Sequence, residues 1–273
     1  MHLLFIGDIV GKPGRDLLRR AVPALVQAYD VDLVVANVEN AAGGFGITRE
    51  TGDEIASHGV DVMTSGNHVW DKKEALTYIG SEPRLLRPIN YAPGAPGRGL
   101  AIVTTATATR VAVINAMGRV HMPLVDDPFA ALTRAVAEAR RETAVVLVDF
   151  HAEATSEKTA LGWHLDGLVT AIVGTHTHVQ TADERVLPGG TAYITDVGMT
   201  GPHDSVIGVE TDAALSRFLT GLPSRFETAT GNPRLNAVVI EADERTGRAR
   251  RITRLNLSKD DLAALAGSAP ASA

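Results

Sequence analysis

Residues 168–178 read Leu-Val-Thr-Ala-Ile-Val-Gly-Thr-His-Thr-His, an apolar run that ends in two histidines one residue apart. The run predicts a buried strand over residues 168–174. Because residues i and i+2 of an extended segment point the same way, His176 and His178 are expected to face one pocket. Two histidines in a loop are often only solvated, so the meaning of this stretch depends on the rest of the chain.

Four other apolar runs end in side chains with oxygen or nitrogen donors. These runs lead to Asp8, to Glu39 and Asn40, to Asn67 and His68, and to His151. Each run is four to seven mostly apolar residues of types common in strands, as expected of strands that are buried on both faces. Ligands of open α/β sheets gather at the carboxyl ends of the strands, and these donors suit divalent ions. The five strand ends therefore predict one shared metal site.

The order of the elements predicts an α/β fold. Strands alternate with helices in the first third of the chain, which favours βαβ units and parallel pairing. Strands are predicted at 2–7, 32–38, 61–65, 100–105, 110–115, 144–150, 168–174, 191–195, 236–242 and 249–256, and helices at 14–28, 48–58, 127–142 and 211–219, with a further helix beginning within 152–158. Asp126 or Asp127 is expected to cap the third helix, where Pro128 suits the first turn. We expect two sheets packed together and covered by helices, in a single domain over 1–266 with a frayed tail at 267–273.

Composition excludes several classes of protein. The 273 residues contain no cysteine, which removes disulfides, thiolate ligands and a cysteine nucleophile. A net charge of −6 argues against duplex nucleic acid as a partner. The sequence shows neither a secretory signal pattern nor an apolar run long enough to span a membrane. A soluble cytoplasmic protein with no membrane association is expected.

The number of candidate donors predicts two metal ions. The candidates are Asp8, Glu39, Asn40, Asn67, His151, His176 and His178. A single catalytic ion commonly takes three protein ligands, so seven donors suit two ions with one carboxylate bridging them. Such pairs, about 3.5–4 Å apart, clamp the attacking and leaving oxygens in displacements at phosphorus. If the backbone at Asn67 and His68 is extended, the two side chains point in opposite directions. Asn67 would then face the metal ions and His68 the substrate.

At this level of detail the sequence resembles a known family. The segments that carry the resemblance are Gly-Asp-Ile-Val-Gly at 7–11, Glu-Asn-Ala-Ala-Gly-Gly at 39–44, Gly-Asn-His-Val-Trp-Asp at 66–71, Asp-Phe-His-Ala-Glu-Ala-Thr-Ser-Glu-Lys at 149–158, Gly-Thr-His-Thr-His-Val-Gln-Thr-Ala-Asp-Glu at 174–184 and Ile-Thr-Asp-Val-Gly-Met-Thr-Gly at 194–201. Over about residues 1–260 the chain is similar to the calcineurin-like metallophosphoesterases, and within them to the YmdB-like branch. The resemblance implies a four-layer αββα sandwich of two mixed β-sheets flanked by helices.

The resemblance also implies how the donors divide between the ions. The superfamily usually has Asp-x-His in its first motif, but Val10 stands where that histidine is expected. Asn40 supplies the lost donor in the YmdB-like branch. One ion is then held by Asp8, Glu39, Asn40 and His178, and the other by Glu39, Asn67, His151 and His176. Iron or manganese is favoured over zinc or magnesium.

The activity implied by the resemblance is that of a phosphodiesterase acting on small phosphodiesters, above all 2′,3′-cyclic nucleotides. A metal-bridging hydroxide would attack phosphorus in line, and His68 would protonate the departing alkoxide. A homo-oligomer is implied as well, whereas the substrate-binding residues are left unassigned. A phosphomonoesterase or phosphoprotein phosphatase, and a regulatory nucleotide-binding protein with a vestigial site, stay open as alternatives. A metal-dependent amidohydrolase is disfavoured, because its His-x-His motif comes first in the chain.

Overall fold

The computed structural model describes residues 1–267. Its strands are β1 (His2–Ile6), β2 (Asp8–Ile9), β3 (Leu33–Asn37), β4 (Val62–Thr64), β5 (Leu100–Thr104), β6 (Arg110–Met117), β7 (Val145–His151), β8 (Ala171–Thr175), β9 (Arg185–Val186), β10 (Ala192–Ile194), β11 (Met199–Pro202), β12 (Pro233–Ala242) and β13 (Ala249–Ser258). Its helices are α1 (Gly11–Tyr29), α2 (Arg49–Ser57), α3 (Ala75–Ser81), α4 (Pro128–Ala139), α5 (Thr155–His164), α6 (Thr211–Thr220) and α7 (Lys259–Gly267).

The strands form two mixed sheets. In the first sheet the order is β2-β11-β12-β1-β3-β4, and β13 pairs with β12. The second sheet has the order β5-β6-β7-β8-β10-β9. Strands β1, β3 and β4 run parallel to one another, as do β6, β7, β8 and β10. The strands that precede the candidate donors therefore end at one edge of each sheet.

The buried apolar side chains divide into three layers. The central layer joins the facing sides of the two sheets, with Phe5 and Val35 from the first and Val113 and Leu147 from the second. A second layer lies between the first sheet and α1, α2, α3 and α7, and a third lies between the second sheet and α4 and α5. This arrangement is the expected four-layer αββα sandwich, in which burial of apolar area is the main stabilising contribution.

Several predicted element boundaries were wrong. The strand predicted at 168–174 begins only at Ala171, and Leu168 is 45% exposed. Helices α3 and α7 were missed, as were the short strands β2, β9 and β11. Short elements carry too few residues for a clear hydrophobic period, so packing rather than local sequence determines them. The strands predicted at 100–105 and 110–115, and those at 236–242 and 249–256, form antiparallel pairs, β5-β6 and β12-β13.

The cap of α4 gives a prediction about stability. The side chain of Asp127 accepts hydrogen bonds from the backbone N–H groups of Phe129 and Ala130, which fulfils the sequence expectation. We expect Asp127→Ala to lower the free energy of unfolding by about 1 kcal/mol, because two amide donors lose their partner. Urea denaturation measures this difference. Asp126→Ala is the matched control and should leave the midpoint unchanged; an equal loss in both variants would contradict the assignment of the cap.

Two sequence expectations concern the C-terminal tail and membrane-spanning helices. Gly267 is the last residue of α7, and the rest of the predicted tail, 268–273, lies outside the described residues. Within residues 1–267, no helix is both long and apolar enough to cross a membrane.

Candidate metal centre

The candidate donors meet where the carboxyl ends of the two sheets come together. Asp8 begins β2, while Glu39 and Asn40 follow β3 and Asn67 follows β4, so the first sheet supplies four of the seven. His151 ends β7, and His176 and His178 follow β8, so the second sheet supplies three. Asp8, Glu39, Asn40 and His151 are almost fully buried. Parallel pairing within each sheet is what aligns these strand ends.

The imidazole of His151 lies at the centre of three other candidate donors. Its Nε2 atom is 3.0 Å from Glu39 Oε1, 3.1 Å from Asn67 Oδ1 and 3.0 Å from His176 Nδ1. The donor atoms of Glu39, His151 and His176 all lie within 4.8 Å of one another, close enough to hold a metal ion. The cluster also needs Gly66, because a Cβ there would come within 2.5 Å of Glu39 and His151. The structure thus brings together the four groups that the resemblance assigns to one ion.

A second set of donors lies beside the first. Within residues 1–267, neither Asp8 Oδ1 nor Asn40 Oδ1 makes a hydrogen bond, although both atoms are buried. Unpaired buried polar atoms are costly, and a cation is a partner that removes this cost. The Nδ1–H of His178 donates to the carbonyl oxygen of Ile207 at 2.8 Å, which leaves Nε2 available. Asp8, Asn40 and His178 therefore each keep a donor atom that a cation can use.

The carboxylates of the cluster favour a positive charge on His151. Burial opposes ionisation of Glu39, but the neighbouring His151 outweighs burial and lowers the pKa of Glu39 to about 2. Burial disfavours the charged form of His151, yet Glu39 and Asp8 raise its pKa to about 9. Burial raises the pKa of Asp8, and His178 and His151 act against this rise. Buried carboxylates that hold a proton on a nearby imidazole are suited to exchange that proton for a cation.

Two of the imidazoles have polar partners on the side away from the cluster. Thr175 Oγ1 donates to Asp149 Oδ1 at 2.7 Å and therefore accepts from His151 Nδ1–H at 2.9 Å. His176 Nε2 lies 3.0 Å from Glu153 Oε2. Burial raises the pKa of Asp149 to about 6. Contacts of this kind fix the tautomer of a metal-binding histidine and point its other nitrogen at the ion.

The backbone at the histidines is not extended, contrary to expectation. His176 has φ of 103° and His178 has φ of 66°, both in the left-handed region. The N–H of His176 donates to Asp8 Oδ2 at 3.3 Å, which helps to turn the chain at this point. Residues 67–70 likewise form a turn, so the simple alternation predicted for Asn67 and His68 was wrong. The side chains of His68, His176 and His178 nevertheless line one cavity, and Asn67 contacts His151 beside it, because the turns orient them toward this region.

His68 lies on the wall of the cavity beside the donor cluster. Its backbone N–H donates to Glu39 Oε2 at 3.0 Å, and its Nδ1–H donates to Asp71 Oδ2 at 2.8 Å. The ring of Phe45 packs edge-on against it, with centroids 5.1 Å apart. The His68 side chain is 30% exposed and lines the cavity. These contacts hold the imidazole in one orientation.

The cavity has a volume of about 310 Å³ and runs from the donor cluster to the surface. It is lined by Val10, Glu39, Asn40, Gly44, Phe45, His68, Glu153, His176, Thr177, His178, Ile207, Gly208, Val209, Phe226, Glu227 and Thr228. None of these described residues is lysine or arginine. Sequence reasoning missed the wall formed by 207–209 and 226–228, since these loop segments carry no motif. Glu153, two residues after His151, could have been found from its place in the 149–158 segment.

Two sheets with carboxylate, amide and imidazole groups at their adjoining strand ends define a metallophosphoesterase. The sequence model of a family described as "YmdB-like protein" matches residues 4–255. The chain belongs to this family.

Individual relatives agree with this assignment. The chain is 48% identical over 262 residues to a protein of Bacillus subtilis (strain 168) named "2',3'-cyclic-nucleotide 2'-phosphodiesterase", covering 96% of this chain and 99% of that protein. A solved structure of a hypothetical protein from Thermus thermophilus has a TM-score of 0.88 and 42% identity, covering 94% of this chain and 99% of the other. A structure described as a novel phosphatase, from Mycoplasma pneumoniae, has a TM-score of 0.89 and 35% identity, covering 94% of this chain and 93% of the other. The expected family and fold are thereby confirmed.

Proposed function

We propose that this protein is a dinuclear metal-dependent phosphodiesterase. One ion would be held by Asp8, Glu39, Asn40 and His178, and the other by Glu39, Asn67, His151 and His176. The observation that carries this proposal is the convergence of these donors beside an open cavity, where Asp8 Oδ1 and Asn40 Oδ1 are buried and make no hydrogen bond within residues 1–267. When bound, the two ions supply a water of lowered pKa as nucleophile and offset the charge of the phosphate.

We further propose 2′,3′-cyclic nucleotides as substrates. The name of the Bacillus subtilis relative, which is 48% identical, supports this class. The cavity adds two aromatic rings, Phe45 and Phe226, and flat apolar surfaces of this kind suit a nucleobase. The chain's own contribution to the reaction is to orient the ester and to hold a proton on His68 Nε2, with Asp71 fixing the other nitrogen. That proton would go to the oxygen that leaves phosphorus.

The charge of the cavity favours a diester over a monoester. A phosphodiester carries one negative charge at neutral pH, whereas a phosphomonoester carries about −1.5 to −2. The described lining includes Glu39, Glu153 and Glu227 and offers no lysine or arginine to a dianion. Because the cations of the metal site would be the main source of positive charge, a singly charged substrate is the better match. Phosphomonoesterase activity is the second candidate.

A panel of phosphate esters tests the proposed function. We expect the metal-loaded protein to hydrolyse 2′,3′-cyclic AMP with a higher kcat/KM than p-nitrophenyl phosphate, and exhaustive chelation to abolish both activities. Adding back the metal should restore them. Full activity after chelation would contradict the metal mechanism. Tight binding of cyclic nucleotide without turnover by the loaded protein would instead favour a regulatory binding protein.

Iron or manganese is our proposal for the metal. Carboxylate, amide and imidazole donors without thiolate suit these ions, although zinc and magnesium accept similar sets. Elemental analysis of the purified protein distinguishes them. About two equivalents per chain are expected from the two donor sets.

The hydroxyl that orients His151 provides a further prediction. Thr175→Val removes the group that links His151 Nδ1 to Asp149 and keeps the side chain's shape. We expect metal affinity to fall by about 10–100-fold, as is typical when a group that orients a ligand is lost. Calorimetric Mn²⁺ titration measures the change. Thr170→Val is the matched control at the other end of the same segment, where the hydroxyl accepts from Val146 N–H; equal affinities in the two variants would contradict the role of Thr175.

Three expectations about partners and location remain proposals. We expect a homo-oligomer. A second copy would cover the exposed apolar side chains on and just after α6, which are Leu215, Phe218, Leu219 and Leu222. Light scattering with Leu219→Glu tests this, since a charge in the interface should shift the mass toward the monomer. We also expect a cytoplasmic location and no binding of duplex nucleic acid.

A further inference from the structure

A buried ion pair lies directly behind the loop that carries His176 and His178. Lys158 on α5 and Asp196 after β10 are each about 1% exposed, and Lys158 Nζ donates to Asp196 Oδ2 at 2.7 Å. A buried pair loses the solvation of both charges, so it contributes little net stability compared with an apolar pair of similar size. We therefore expect the Lys158–Asp196 pair to have a role in the donor cluster beside it, other than a contribution to stability.

The carboxylate of Asp196 holds the residue between the two histidines. Its Oδ2 atom accepts hydrogen bonds from the backbone N–H of Thr177 at 3.1 Å and from Thr177 Oγ1 at 2.8 Å. Its other oxygen, Oδ1, accepts from Gly198 N–H at 2.8 Å, so the carboxylate is itself fixed. Lys158 and Thr177 thus bind the same oxygen of Asp196, and the hydrogen bond from Gly198 to the other oxygen restrains rotation of this carboxylate.

The loop held in this way has an unfavourable backbone. His176 and His178 both have φ values in the left-handed region, which costs free energy for residues other than glycine. Such a conformation persists only when surrounding contacts over-determine it. The contacts of Thr177 with Asp196 lie between the two strained residues, and their acceptor is a carboxylate, which binds N–H and O–H donors more strongly than a neutral group does.

We propose that Lys158 and Asp196 are positioning residues that hold this loop so that His176 and His178 each reach a different metal ion. The inference rests on the proposed dinuclear site. The Lys158–Asp196 pair holds the loop at Thr177 and so acts as one clamp for His176, a ligand of one ion, and His178, a ligand of the other. Loss of the clamp should weaken both ions together, whereas loss of Asn40, which belongs to one donor set, should weaken one ion.

The test compares metal binding and stability in matched variants. Mn²⁺ titration by calorimetry gives the affinity of each ion, and circular dichroism gives the Tm of the metal-free protein. We expect Lys158→Met to weaken both ions by about 10–100-fold. Asn40→Ala should weaken one ion. The control is Asp166→Asn, since Asp166 also accepts loop N–H groups, from Gly189 and Thr191, but at the far end of β8 and β10; it should bind both ions normally.

A second variant keeps the test decisive if Lys158→Met does not fold. In Lys158→Met with Asp196→Asn, both buried charges are removed, so the Tm should recover, yet both affinities should stay reduced because an amide oxygen holds Thr177 less firmly than a carboxylate. Unchanged affinities in this double variant would overturn the inference and leave the pair a structural feature. Wild-type protein that binds no Mn²⁺ would overturn the proposed metal site, and the inference with it.

Discussion

Glu39→Gln is expected to reduce kcat/KM for 2′,3′-cyclic AMP by about 10³-fold or more and to eliminate binding of both ions. One donor that stabilises developing charge typically contributes about 10²–10³-fold, and Glu39 is the carboxylate proposed to serve both cations. Its Oε1 atom lies 3.0 Å from His151 Nε2, and its Oε2 atom accepts from His68 N–H. A neutral amide in this place removes the charge that attracts the cations and can also misplace His68.

The measurement combines steady-state kinetics with elemental analysis. Glu50→Gln makes the same chemical change on the exposed surface of α2 and should bind metal and hydrolyse substrate as the wild type does. Circular dichroism of the Glu39→Gln protein separates a lost site from a lost fold. Two equivalents of metal and normal turnover in Glu39→Gln would remove Glu39 from the site.

His68→Ala is expected to lower kcat by about 10²–10⁴-fold for esters with poor leaving groups, the range that general acid catalysis typically contributes. For bis-p-nitrophenyl phosphate the loss should be much smaller, because p-nitrophenolate departs without needing a proton. The physical basis is the orientation of His68, whose Nδ1–H donates to Asp71 Oδ2 while the ring faces the cavity. Metal content should stay at the wild-type value, since His68 belongs to neither donor set.

The measurement compares kcat of His68→Ala and wild type on an ester with a poor leaving group and on bis-p-nitrophenyl phosphate. His164→Ala, which removes an exposed imidazole outside the cavity, is the control and should leave both rates unchanged. Unchanged kcat with the poor leaving group in His68→Ala would remove the general-acid role. An equal loss with both substrates would point to positioning of the phosphate instead.

The donor set could be predicted from sequence because topology determines it. Runs of buried β-rich residues mark the strands, and parallel pairing brings their carboxyl ends to one edge of the sheet. Asp8, Glu39 and His151 were found by this reasoning, and the structure brings them together. The allocation of the seven donors to two ions came from the family resemblance and stays a proposal.

The geometry of the loops could not be predicted in the same way. His176 and His178 reach the cluster through left-handed turns that depend on contacts with Asp8 and Asp196, which are distant in sequence. Phe226 and Thr228 line the cavity because the segment between α6 and β12 folds back over it, and no local pattern marks that path. Such features arise from tertiary contacts, which a hydrophobic period does not encode.

Each proposed ion takes ligands from both sheets, so cation binding would be linked thermodynamically to the docking of one half of the sandwich on the other. Asp8, Glu39, Asn40 and Asn67 belong to the first sheet, and the three imidazoles belong to the second. A ligand that binds the folded protein alone adds about 2.7 kcal/mol to the unfolding free energy at a hundredfold excess over its Kd. The free energy of unfolding, and with it the logarithm of the survival time under protease, should therefore rise with the logarithm of metal concentration. Protease survival would thus measure occupancy without a substrate.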